Sequence, residues 1–121
     1  MDLIGRGFPR SSRLTQAVQF ERVFAEPQRV SNRAFTLLAR KNDTGYARLG
    51  LAIAKKCAAR AVQRNRIKRQ ARETFRMKSG DLADLDIIVL CRPPAATMSR
   101  TELSSALDQL WNRLIQQCRD S

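Results

Sequence analysis

The sequence contains no histidine, and only one tryptophan and one tyrosine, in 121 residues. Without histidine the chain lacks the side chain most used as a general base near neutral pH and most often found on a metal. Its three cysteines, Cys57, Cys91 and Cys118, form no CxxC spacing, and an odd number does not suit a disulfide framework. They read as small, mostly buried apolar groups in a reducing compartment. Long hydrophobic runs are missing as well. The two longest, Leu49–Ala54 and Ile87–Cys91, are far too short to span a bilayer. The opening MDLIGRGFPRSSR lacks the continuous apolar stretch of a secretory signal. The expectation is a cytoplasmic protein with no membrane span.

Acid is scarce. Eleven Asp/Glu face 23 Lys/Arg, for a formal charge of +12. Such an excess calls for a polyanionic partner. Hydrophobic residues make up 43% of the chain, a globular composition, and the length suits one domain with a modest core. No repeat or low-complexity tract divides it. Residues 1–14, with Arg6, Arg10 and Arg13 among Gly5, Gly7 and Pro9, read as a basic flexible arm, and residues 15–121 as a single domain that meets the polyanion.

A helix is expected from Thr15, with Thr15 as N-cap, Ala17, Phe20 and Phe24 at helical spacing, and Pro27 ending it. Val30–Lys41 alternates as a strand does, Asn42–Gly45 is turn chemistry, and Arg48–Lys55 reads as a second strand, so the two are expected to form a hairpin. On the second strand Leu49, Leu51 and Ile53 share one face, while Gly50, Ala52 and Ala54 make the other. A face of small residues lets an extended ligand approach a sheet closely. Residues 59–78 predict a helix closed by Gly80. Leu85–Cys91 is a nearly unbroken apolar run, suited to a strand buried on both faces and stopped by Pro93-Pro94. Ser99-Arg100-Thr101-Glu102 is a capping box, followed by a stripe of Leu103, Leu107, Leu110, Leu114 and Cys118, widened by Trp111 and Ile115. The order α-β-β-α-β-α indicates an α+β two-layer sandwich, with helices packed on a small mixed sheet.

The helix over 59–78 carries the charge. From Lys55 to Lys78 there are ten basic residues and one acid, Glu73. A solvated helix face normally mixes signs. Here Ile67, Ala71 and Phe75 line up as a buried stripe, while Asn65, Arg69, Arg72 and Arg76 fall on another side flanked by Arg66 and Lys68. Arginine outnumbers lysine, which favours bidentate phosphate contact. A membrane-surface helix needs a broad exposed apolar face, and three docking residues do not make one. A helix-turn-helix DNA reader needs two helices joined by a short turn, and none is visible. A basic helix beside a small-residue floor and two phenylalanines fits an extended RNA strand better, although plain core packing explains Phe20 and Phe24 equally well. A self-sufficient metal nuclease has only Asp81, Asp84 and Asp86 to draw on, with no second carboxylate cluster.

RNRIKR at 64–69, preceded by LGLAIAKK at 49–56 and followed by RETFR at 72–76, resembles the protein subunit of bacterial ribonuclease P. RLTQAVQFERVF at 13–24, NRAFTLLA at 32–39 and LADLDIIVLCRP at 82–93 extend the resemblance over most of the chain. It implies a left-handed βαβ crossover, like that in domain 2 of ribosomal protein S5. It implies a catalytic RNA subunit as partner and precursor tRNA as substrate, cleaved to release the 5′ leader. The hydrolysis would fall to the RNA with Mg²⁺, bound mainly by that RNA, and the protein alone would be inactive. Carried over by position, Arg64, Asn65, Arg66, Lys68 and Arg69 face the catalytic RNA, and Arg72 and Arg76 continue that surface. The leader cleft is lined by Phe20, Phe24, Leu38, Ala52, Ala54 and Lys56, with Arg64 and Asn65 at its rim. Leu38 stands where some members have an aromatic, and Ala52 and Ala54 where others have hydroxyls. A ribosomal or RNA-chaperone module is the alternative for the same charged surface.

Overall fold

The structure, a computed structural model, describes residues 12–119. Its elements run α1 (Ala17–Ala25), β1 (Gln28–Ser31), β2 (Phe35–Lys41), β3 (Arg48–Ala52), α2 (Ala61–Lys78), β4 (Leu85–Cys91), a 3₁₀ turn (Pro93–Thr97) and α3 (Arg100–Arg119). The α+β sandwich on a small mixed sheet is as expected, but it has one more strand than the pattern predicted. The alternation over Val30–Lys41 is broken by Asn32. Its side-chain oxygen accepts from the backbone N–H of Ala34 (3.0 Å) and Phe35 (2.9 Å), which folds the segment into the tight β1–β2 hairpin.

The hairpin expected between β2 and β3 does not exist. The sheet order is β1-β2-β4-β3, with β4 antiparallel to β2 and parallel to β3. The physical reason lies in β4 itself: Leu85–Val89 is buried throughout, and a strand apolar on both faces belongs at the centre of a sheet. β3, α2 and β4 thus form the βαβ unit. The β2–β3 connection is held by a buried polar knot. Asn42 donates to Asp86 Oδ1 (2.7 Å), and Arg48 grips both Asp86 oxygens at 2.7 and 2.8 Å. That pairing raises the Arg48 pKa above its ordinary value.

The residues facing α2 and α3 make the main core: Phe35, Leu37 and Ala39 from β2, Leu49 from β3, Ile87 and Val89 from β4. The α2 stripe of Ile67, Ala71 and Phe75 is buried as its spacing implies. Phe75 meets Trp111 with ring centroids 5.7 Å apart, and the Trp111 indole donates to Thr74 Oγ1 at 2.9 Å. The α3 stripe from Leu103 to Ile115 is buried too, and the capping box forms, with Ser99 and Glu102 exchanging hydrogen bonds at 2.9 and 3.1 Å. On the opposite face α1 covers a smaller cluster of Leu14, Val23, Leu38 and Ile88.

Helix ends differ in detail from the sequence reading. Gln16, not Thr15, is the N-cap of α1, because the Gln19 side chain reaches back to both backbone N–H groups. α2 starts at Ala61 because residues 54–58 form a turn of their own, with Cys57 and Ala58 donating to the Ala54 carbonyl. Gly80 follows the helix end without a left-handed turn, and Asp84 takes the positive φ of 72° instead. The cysteine reading changes most. Cys57 and Cys91 are joined by a disulfide, their Cα atoms 6.2 Å apart, and Cys118 is free. An odd count permits one pair plus one thiol, and only the fold brings the turn before α2 to the end of β4. Residues 1–11 of the arm lie outside the described residues. Arg13 and Leu14, assigned to that arm, are seated on β3: Leu14 donates to the Leu49 carbonyl (2.9 Å) and is buried.

Candidate nucleic-acid interface

Two adjoining surfaces carry the sequence-derived site residues. The first is α2. Its stripe, together with the buried Gln70 and Thr74, packs the helix into the core against α3 and the sheet, and the arginines lie on the remaining sides. Asn65, Arg66, Arg69 and Arg72 line one hollow of about 580 Å³ together with Val62, Gln70 and Arg100. Lys68 is half-buried and Arg76 is exposed beyond that hollow. Arg69 has a single acidic neighbour within the helix, Glu73, at 3.2 Å.

Arg72 joins this hollow to a second one of about 420 Å³, lined by Arg13, Leu14, Thr15, Leu49 and Leu51. Burial first, then the positive charges of Arg13 and Arg69, pull the Arg72 pKa below its ordinary value, against a partial offset from Glu73. Guanidinium groups crowded this way are stabilised by an anion placed among them. Arg64 behaves differently. It donates to the carbonyls of Ala58 and Ala59, both at 2.9 Å, and so ties the turn ahead of α2 to the helix.

The second surface is the sheet face under α1. Pairing places Ser31, Thr36, Leu90 and Ala52 side by side in one row across all four strands. All four are half-exposed. The next row, Leu38, Ile88 and Gly50, lies beneath α1. Leu38 is 3% exposed, so it supports the floor from below α1. Phe20 rests on Gly50: a Cβ there would come within 2.8 Å of its ring. Phe20, Ala52 and Leu90 each pack against the cluster under α1, whereas Phe24 is 47% exposed. Ala54 and Lys56 continue past the end of β3, both exposed. The result is a partly exposed row beside α1, with Leu90 and Ala52 as its apolar part, Phe20 seated over the neighbouring Gly50 and Lys56 exposed past the end of β3.

The Ribonuclease P family model matches residues 8–115. The chain belongs to the ribonuclease P protein family. It is 48% identical to the ribonuclease P protein component of Thioalkalivibrio sulfidiphilus, over 95% of this chain and 96% of that protein. It is 40% identical to that of Escherichia coli O157:H7, over 98% of this chain and the whole of the relative. Among solved structures it resembles the RNase P protein of Staphylococcus aureus (TM-score 0.78, 30% identity, 85% of this chain and 94% of that one). It also resembles the RNase P protein of Thermotoga maritima (TM-score 0.73, 31% identity, 84% and 96%).

Within the ribonuclease P protein fold, sequence reasoning missed several groups that border these surfaces. Arg100 enters the α2 hollow from the first turn of α3, and Arg13 crowds Arg72 from the far side of β3. Arg92, exposed just past β4, donates to the Asn32 carbonyl at 3.1 Å. Ser31, Thr36 and Leu90 complete the floor. No periodicity could assign them, because the row exists only once β4 is known to lie between β2 and β3. The carboxylates weighed for Mg²⁺ do not suit it. Both Asp86 oxygens are engaged by Arg48 and Asn42, Asp81 lies 3.9 Å from Arg119, and among the described residues no group of three metal-ligating side chains occurs. Among the described residues, too, no helix is long and apolar enough to cross a membrane.

Proposed function

We propose that this chain binds the catalytic RNA of ribonuclease P through α2 and the 5′ leader of precursor tRNA through the groove under α1. In this role it assists removal of the leader to give the mature tRNA 5′ end, in the cytoplasm. The observation that carries the reading is the Arg13–Arg72–Arg69 crowding next to an open sheet row. One surface has a single acid, Glu73, among its arginines and binds phosphate, and the other leaves one row uncovered beside α1 and takes an extended strand. Two RNAs meeting repel each other, and a +12 protein between them lowers that repulsion. Arg66, Lys68, Arg69, Arg72 and Arg76 supply charge toward folded RNA, with Asn65 as a neutral hydrogen-bonding partner. Phe20, Phe24 and Ala52 offer stacking and apolar contact to loose bases, and Lys56 a phosphate contact. In this reading the Mg²⁺ is bound mainly by the RNA, and the RNA carries out the hydrolysis.

The test is reconstitution with catalytic RNA and precursor tRNA at low Mg²⁺. The mixture is expected to cleave, and the protein alone is expected to be inert. Cleavage by the pure protein, or co-purification with ribosomes in place of a single large RNA, defeats the reading. Lys68→Ala combined with Arg69→Ala is expected to weaken RNA-subunit binding about 10- to 100-fold, while the urea midpoint stays put, because neither side chain is in the core.

A further inference from the structure

The open row of the groove is polar at one end and apolar at the other. Leu90 and Ala52 pack against the α1 cluster, as Phe20 does. Across β2 and β1 the same row ends in two hydroxyls, Ser31 Oγ and Thr36 Oγ1, 3.1 Å apart. One hydrogen bond between two hydroxyls uses one of their two protons, so the pair keeps a donor and several acceptor lone pairs for a ligand. Four strands at ~4.8 Å spacing make the row about 14 Å wide. A base lying on Leu90 therefore has its edge within reach of Thr36. Arg29, exposed and one row on beside Leu38, and Arg92, exposed past β4, place cations on either side of this polar end.

We propose that the Ser31–Thr36 hydroxyl pair reads the hydrogen-bonding edge of one leader base whose ring lies on Leu90 and Ala52, and so sets a base preference at one leader position. The inference rests on the groove being the leader site. It adds what the apolar floor cannot supply, since stacking alone accepts any base while a hydroxyl pair discriminates among base edges.

The test measures binding and cleavage by the reconstituted holoenzyme. The substrates carry each base in turn along the leader, plus a set with single 2′-deoxy substitutions. The unaltered protein is expected to favour one base at one position. Ser31→Ala combined with Thr36→Val is expected to erase that preference, lowering affinity for the favoured leader about 3- to 10-fold and leaving the others unchanged. Thr36→Ser, which keeps the hydroxyl, is expected to retain it. A double variant that still discriminates overturns the proposal. So does an unaltered protein with no preference, or a dependence confined to 2′-deoxy substitution. Equal handling of substrates with and without a leader overturns the groove assignment as well, which separates the two failures. Melting of each variant checks that the half-exposed hydroxyls were not needed for folding.

Discussion

The two faces of the sheet are built to opposite rules. Toward α2 and α3 the strands present Phe35, Leu37, Ile87 and Val89 to Phe75, Trp111 and the α3 leucines, and the space is filled. Toward α1 the cluster is four buried residues, and one whole row across the sheet is left half-open. The difference teaches how a small basic protein separates stability from recognition. The filled face anchors α2, and the outer surface of that helix holds its arginines with Glu73 as their single acidic neighbour within the helix. The thin face leaves room for a strand that is not part of the chain.

The largest way to break this comparison is salt. If the basic surface neutralises ~6–10 phosphates, RNA affinity is expected to fall ~10³–10⁵-fold between 50 and 200 mM salt. A flat titration of RNA binding removes the electrostatic half of the argument. Next, Phe75→Ala attacks the filled face and is expected to cost about 3–5 kcal/mol of unfolding free energy in a urea titration. A loss below about 1 kcal/mol means that face is less tightly packed than described.

The disulfide sharpens the comparison at the junction of the two surfaces. It joins the turn carrying Lys56 to the end of β4 across 34 residues, and the same turn is held by Arg64. Reduction, or Cys57→Ser, is expected to lower stability by about 2–4 kcal/mol, with Cys118→Ser as the control. Equal urea midpoints with and without reductant mean that the two thiols simply pack together. The smallest effect belongs to the thin face. Gly50→Ala places a Cβ 2.8 Å from the Phe20 ring and is expected to cost about 1–3 kcal/mol as Phe20 is pushed aside. Leader affinity should drop while RNA-subunit affinity holds. A variant that loses both equally shows that the surfaces are not separable.

Much of this was legible in the residues. Ile67, Ala71 and Phe75 declared the apolar stripe of α2, because a 3.6-residue period aligns them, although the buried side also takes in Gln70 and Thr74, which their polarity hid. Ser99 and Glu102 marked the start of α3, and the apolar run at Leu85–Cys91 marked a central strand. The short strand β1 was hidden because its signal was a single asparagine inside an alternating pattern that runs on without it. Leu38 looked like a cleft residue from its parity, which was right about the face and silent about α1 lying over it.

The sequence alone determined the basic helix, its anchoring stripe and the +12 charge, since these follow from spacing and composition within one segment. Only the tertiary structure decided that β4 separates β2 from β3, that Cys57 meets Cys91, that Arg13 crowds Arg72, and that Ser31, Thr36, Leu90 and Ala52 share a row. Each of those joins residues at least five apart in sequence, and most join residues more than thirty apart. Local periodicity carries no information about which distant segment supplies the neighbour. That choice is made by burying the most apolar strand at the centre, and the groove is what the remaining strands leave uncovered.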